Sequence, residues 1–255
     1  MDLAALVGIV LAFGGIFGAQ IMEGGSPTSI ILVPPLVLVI CGTLGAAMAG
    51  GVLKDTLGIV NQLKLAFTGK VTAPGELVDS IVKLAERARR EGLLALEDAA
   101  KGVSHPFLRR GLEMAIDGTD PEELGEIMHA EIDAKRKADK SGAKVFADMG
   151  GFSPTIGIIG TVLGLVHVLS SLSDPSKLGE LIAGAFVATL WGVMLANVVF
   201  LPLGNRLKRL SELECGQMEL AIEGVMAIQA GSNPRLVAQK LKSLLPPGEA
   251  DKKAA

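Results

Sequence analysis

A chain of 255 residues with a mean hydropathy of +0.48, 49% apolar residues and 32 glycines is not an ordinary soluble domain. The formal net charge of −3 leaves no basic excess to neutralise phosphates, which argues against a nucleic-acid partner. The two cysteines, Cys41 in an apolar run and Cys215 in a charged tail, suit neither a disulfide framework nor a metal site.

A bilayer crossing needs roughly 20 mostly apolar residues. Residues 3–22 supply the first. No Lys or Arg precedes it and no tidy small-residue cleavage site follows, so a span is expected rather than a secretory signal peptide. Residues 30–51 supply the second, with Pro34 and Pro35 near its start, where a missing N–H is tolerated.

The polar segment 52–148 comes next. From Pro74, PGELVDSIVKLAERARREG predicts an amphipathic helix with Leu77, Ile81, Leu84 or Ala85, and Ala88 on one face and Gly92 just past its end. A short helical run, residues 93–100, carries Glu97 and Asp98. In DGTDPEELGEIM, Asp120 is the expected N-cap, Pro121 the first helical residue and Glu123 the partner of a capping-box arrangement. That helix is expected to lead directly into the third span, since no strong breaker precedes Gly150.

The third span covers residues 149–172 and the fourth 178–203. The tail, 204–255, predicts a helix ending at Gly231, a short helix from NPRLVAQKLKSLL stopped by Pro246 and Pro247, and a disordered GEADKKAA end. No β pattern is convincing anywhere. The fold class is all-α: an integral membrane protein with four transmembrane helices and a helical cytoplasmic domain. The expected divisions are 1–51, 52–148, 149–203 and 204–255.

Lys and Arg concentrate in the segment from Lys54 to Lys144 and in the tail, whereas the two short links hold one cation, Lys177. Basic loops stay inside, so both large polar segments and both termini are expected in the cytoplasm.

Within the spans almost nothing ionises. Glu180 is near an end, and His167 reads either as a packed interfacial histidine or as a proton relay. An ion-coupled machine normally carries a carboxylate or Lys at depth. Either this chain conducts nothing or a partner supplies the acidic group. Gly157, Gly160 and Gly164 in the third span, and Gly184, Ala188, Gly192 and Ala196 in the fourth, form small-residue seams that serve intrachain packing or oligomers equally well. Thr161 and Thr189 fall near the middle of antiparallel spans. Their hydroxyls bond back to their own helix, or together replace part of a cation's hydration shell. No phosphate loop, metal-ligand spacing or nucleophile triad is present, so an enzyme is not expected and no cofactor is implied.

Five ordered stretches carry a resemblance over essentially the whole chain: CGTLGA (41–46), AERARREGLLALE (85–97), SPTIGIIGTVLGLVHVL (153–169), GAFVATLWGVMLANVVFLPL (184–203) and EGVMAIQAGSNPRLVAQKLKSLL (223–245). With the order of two spans, cytoplasmic domain, two spans and charged tail, they resemble the MotA family of flagellar stator subunits. Cys41 stands where that family usually has Gly. The resemblance implies five copies around two MotB-type subunits, whose single span brings the essential Asp. It implies that Arg89 and Glu97 engage the rotor protein FliG and that Pro154 and Pro202 couple ion flow to rotation. It also implies that Thr161 and Thr189 line the path of H+ or Na+. A Thr at both positions leans toward sodium, while His167 follows a pattern also found in proton-type members. The nearest alternatives are an ExbB/TolQ-type energy-transducing subunit, which has three spans in a different order, and a non-conducting membrane scaffold.

Overall fold

The computed structural model describes residues 4–69, 71 and 73–246. The expected disordered end, 248–255, lies outside the described residues, as does Leu3 at the start of the first span. Every regular element among the described residues is helical.

The described residues divide into two compact units. The first comprises 1–69 and 139–209, the second 70–138 and 210–255. Helix α1 (Ala4–Met22) is followed by a 3-10 turn (Pro27–Ile30) and α2 (Val33–Gly50). Two helices that the sequence reading did not resolve come next, α3 (Leu53–Leu57) and α4 (Ile59–Thr68). Both belong to the first unit and not with the polar segment that follows.

In the second unit, α5 (Pro74–Glu91) ends as expected at Gly92, whose φ of +86° is readily adopted only without a Cβ. Residues 93–101 divide into a 3-10 turn (Leu93–Leu96) and α6 (Glu97–Lys101), followed by α7 (Pro106–Ile116). Asp120 caps α8 (Pro121–Ser170) as predicted: its Oδ1 accepts from the Glu122 N–H at 2.9 Å and the Glu123 N–H at 3.4 Å. The apolar stripe of α5 (Leu77, Val78, Ile81, Leu84) is buried in a core with Leu108, Leu112 and Ile222. Backbones come close there because Gly224 offers no Cβ: one built on it would lie 2.6 Å from Ile81 Cγ2.

The remaining elements are α9 (Pro175–Met194), a π turn (Leu195–Phe200), α10 (Leu201–Gln229) and α11 (Pro234–Ser243). Asn233 caps α11 by accepting from the Arg235 N–H at 3.1 Å, with Pro234 at the first position. Four helices are long and apolar enough to cross a membrane: α1, α2, the part of α8 from Met149 on, and the continuous α9–π–α10 helix.

The cap of α7 makes a pH prediction. His105 accepts from the Leu108 N–H through Nδ1 at 3.3 Å, which requires the neutral ring. Burial lowers its pKa from the ordinary histidine value, against an opposing pull from Glu214. The folded state therefore binds fewer protons than the unfolded chain. The contribution of His105 to the stability of this unit is full above about pH 6.5 and is lost as pH falls from there through its folded-state pKa. Histidine NMR should place His105 below the free value, and His105→Asn, which keeps an acceptor, should flatten the decline.

Candidate ion-path site

The site forms where α8 and α9 touch. Gly157 presses its backbone against α9: a Cβ there would be 2.8 Å from the Ala188 carbonyl oxygen and 3.1 Å from Thr189 Cα. Gly192 reciprocates, at 2.6 Å from the Ser153 carbonyl oxygen, and Gly160 and Gly164 meet Ala188 and Ala185, each with a Cβ that would lie 2.6 Å from the facing Cβ. The small residues of the third and fourth spans are therefore used within the chain. Gly184 is packed more loosely, since a Cβ built on it would meet only Leu32 Cδ1, at an ordinary contact distance of 3.8 Å.

This closeness brings three hydroxyls into the contact. Thr161 Oγ1 and Thr189 Oγ1 hydrogen-bond to each other. Both also reach the Gly157 carbonyl at 3.3 Å, and Thr161 Oγ1 is 3.0 Å from the Ala185 carbonyl. Ser153, fully buried, donates to the Gly192 carbonyl at 2.8 Å. Two hydroxyl oxygens and two carbonyl oxygens thus converge in a half-buried spot. Oxygen donors of this kind can replace part of a small cation's water shell, and shared hydroxyl protons leave lone pairs to offer. Thr161 reaches the Gly157 carbonyl of its own helix, as the back-bonding reading expects, and it also bonds to Thr189 across the contact.

Pro154 sits inside α8 beside buried Ser153. Pro202 lies in the first turn of α10, directly after the π turn, and lines a cavity of about 420 Å³ with Gly8, Ala12, Asn197 and Arg206. His167 lines a different cleft, of about 500 Å³, with Glu180, Pro34 and Pro35. Neither proline and neither ionisable group takes part in the hydrogen bonds of the threonine pair.

Arg89 and Glu97 belong to the second unit, at the end of α5 and the start of α6, on either side of the turn that Gly92 makes. Both face outward. Glu97 pairs with Lys101 at 3.6 Å, and Arg89 holds no ion pair among the described residues, whereas its neighbour Arg87 holds Glu91 at 3.1 Å. No group of three or more metal-ligating side chains occurs among the described residues. Ser153 and the Gly157 and Ala185 carbonyls were not picked out from sequence. Ser153 stands one residue before Pro154 in a span otherwise poor in polar groups, which is the signal that was there to use.

Four helices long and apolar enough to cross a membrane, with polar groups paired between the third and fourth, define a polytopic membrane protein. Residues 99–220 match the MotA/TolQ/ExbB proton channel family. The chain is 35% identical to Motility protein A of Bacillus subtilis over 96% of this chain and 92% of the relative. It is 32% identical to chemotaxis protein PomA of Vibrio alginolyticus over 98% and 97%. Its fold matches the C. jejuni MotAB structure with a TM-score of 0.92 at 31% identity, covering 97% of each chain. The flagellar MotAB stator complex from Bacillus subtilis matches with a TM-score of 0.88 at 34% identity, covering 96% of each. The chain belongs to the MotA/TolQ/ExbB proton channel family, among its motility-protein-A members, and it is not an enzyme.

Removing the close contact tests the site. Gly157→Val should separate α8 from α9 and cost about 1–3 kcal/mol by overpacking, read as a lower melting temperature of the detergent-solubilised chain. Gly179→Ala, where a Cβ would meet nothing, should leave it unchanged.

Proposed function

We propose that this chain is the stator subunit that, with a MotB-type partner, conducts H+ or Na+ and turns ion flow into torque on the flagellar rotor. The observation that carries the reading is the Thr161–Thr189 pair with its two carbonyls, held mid-span in a chain whose spans offer no central carboxylate. Such a site lends oxygens to a cation but does not neutralise it. A partner span that brings an Asp completes it, and the full-length likeness to two MotAB structures supports a MotB-type partner. The finer parts of the reading are five copies around two partner copies, FliG as the rotor contact of Arg89 and Glu97, Pro154 and Pro202 as coupling residues, and both termini in the cytoplasm. They rest on the family resemblance and on the Lys/Arg distribution.

The energy is adequate. One charge crossing 100 mV releases about 2.3 kcal/mol, enough to bias a step between states of nearly equal energy. In this scheme, ion binding at the partner Asp beside Thr161 and Thr189 releases the ring to turn, and the outward Arg89 and Glu97 act on the rotor. The pair of threonines favours sodium as the driving ion.

Co-expression with a MotB-type partner in flagellated cells lacking their own stators should restore swimming that depends on sodium. Swimming that persists without sodium would keep the stator and assign protons. Immotile cells despite stable co-purification would overturn the proposal. In the same cells, Arg89→Glu with Glu97→Lys should abolish most of the torque of a tethered cell while leaving membrane assembly intact, and full torque would remove these residues from the rotor contact.

A further inference from the structure

Helices α3 and α4 pose a problem that the stator reading does not use. Their inner face is fully engaged at the level where the spans end. Ile59 packs with Ala47, three residues before the end of α2, and with Met149 and Phe200. Ala66 is buried against Ala143, Phe146, Leu203 and Leu207. The Asp55 carboxylate accepts from the Ser141 hydroxyl, and the Gln62 side chain lies over Gly142, where a Cβ would be 2.5 Å from its nitrogen. Arg206 donates to the Ala66 carbonyl. These partners tie α3 and α4 side-on to the ends of all four spans, since α4 also meets α1 near Ile9.

The outer face is apolar. Leu53 and Leu57 lie four apart on α3 and Val60 and Leu63 three apart on α4, all four are exposed, and Leu57 and Val60 are 71% and 74% exposed. Lys54 and Lys64 flank them and face outward. Residues 52–69 hold one carboxylate, Asp55, and it is turned inward to Ser141. The outward charge of this face is therefore wholly cationic.

We infer that α3 and α4 form an interfacial lipid-binding surface: Leu53, Leu57, Val60 and Leu63 enter the acyl boundary of the leaflet at the Gly50 end of α2, and Lys54 and Lys64 hold anionic phospholipid headgroups. An amphipathic helix with lysines beside its apolar stripe, fixed at the depth where spans leave the hydrocarbon, has the composition that binds the headgroup boundary. Met48, at the Gly50 end of α2, is exposed as well. Long lysine stems reach from that depth to the phosphates. The inference is independent of torque and of which side of the membrane this leaflet faces.

The test uses the full chain, co-purified with its MotB-type partner, in phosphatidylcholine vesicles containing phosphatidylglycerol. Nitroxide labels are placed at Leu57→Cys, Val60→Cys and Gln62→Cys in a Cys41→Ala, Cys215→Ala background. Labels at 57 and 60 should be accessible to oxygen and shielded from a water-soluble nickel chelate, and the label at 62 shielded from both. Nickel access at 57 and 60 would overturn the surface, and shielding from both reagents there would assign this face to a second protein chain instead. Quenching of Val60→Trp by brominated lipid, read against the native Trp191 signal, gives the same answer with both cysteines retained. Lys54→Gln and Lys64→Gln should each lower the enrichment of spin-labelled phosphatidylglycerol over phosphatidylcholine about fivefold, the factor for about 1 kcal/mol per cation at the surface. Unchanged enrichment would overturn the headgroup role.

Discussion

The contact of Gly157 with the backbone of α9 is the constraint on which the membrane unit depends. Hydrocarbon offers no water to satisfy a hydroxyl or a carbonyl, so polar groups inside a span must find one another. They do so here because two helices approach until backbone meets backbone, with Gly157 and Gly192 facing across the gap. At that distance the Ser153, Thr161 and Thr189 hydroxyls reach carbonyls across or along the contact. The threonine site follows from the glycines. Larger residues would leave the same hydroxyls bonded only to their own helices.

The other two spans are held by weaker means. No residue of α1 is buried, and its glycines 8, 14, 15 and 18 have open space where a Cβ would go. A polar tie joins this side to the fourth span: buried Trp191 donates its indole N–H to the Ile30 carbonyl at 2.5 Å, in the turn between α1 and α2. That carbonyl is at the edge of a 3-10 turn and has no helical partner to lose, so the bond closes a loop that would otherwise leave the apolar cluster of Phe13, Phe17 and Trp191 uncovered. The α8–α9 pair is thus locked by close approach, α2 packs on it through Gly42 against Ile156, and α1 buries no residue.

Much of this was legible in sequence. Hydropathy located the spans because twenty apolar residues have few other uses, and Asp120 and Gly92 marked helix ends because capping is local chemistry. The paired threonines were visible as residues of matching depth, but their mutual hydrogen bond was not. It depends on how closely the helices pack, which no single helix records. Helices α3 and α4 were hidden for another reason. Gly58 interrupts their period, and Leu53, Leu57 and Val60 face away from the protein, so the segment reads as an irregular polar linker unless its outer face is given a second apolar environment. Arg89 and Glu97 are ordinary exposed charges in both sequence and structure, and only the resemblance singles them out.

The two span prolines show how one covalent defect takes different forms. Proline lacks an N–H and so leaves a carbonyl one turn earlier without its usual donor. At Pro154 the α-helix continues unbroken, flanked by Ser153, which bonds to α9, and by Thr155, whose hydroxyl donates to the Phe152 carbonyl at 2.7 Å. At Pro202 the helix widens instead. The Leu201 N–H reaches back five residues to the Ala196 carbonyl, and the Asn197 side chain donates to the Val193 carbonyl at 2.9 Å. The difference follows from the neighbours. Pro154 lies beside the tight glycine contact, where close-packed backbones resist widening. Pro202 borders a cavity walled by Gly8 and Ala12 of α1, where there is room to widen. Packing on the far side of each helix, and not the proline itself, decides whether the span stays regular.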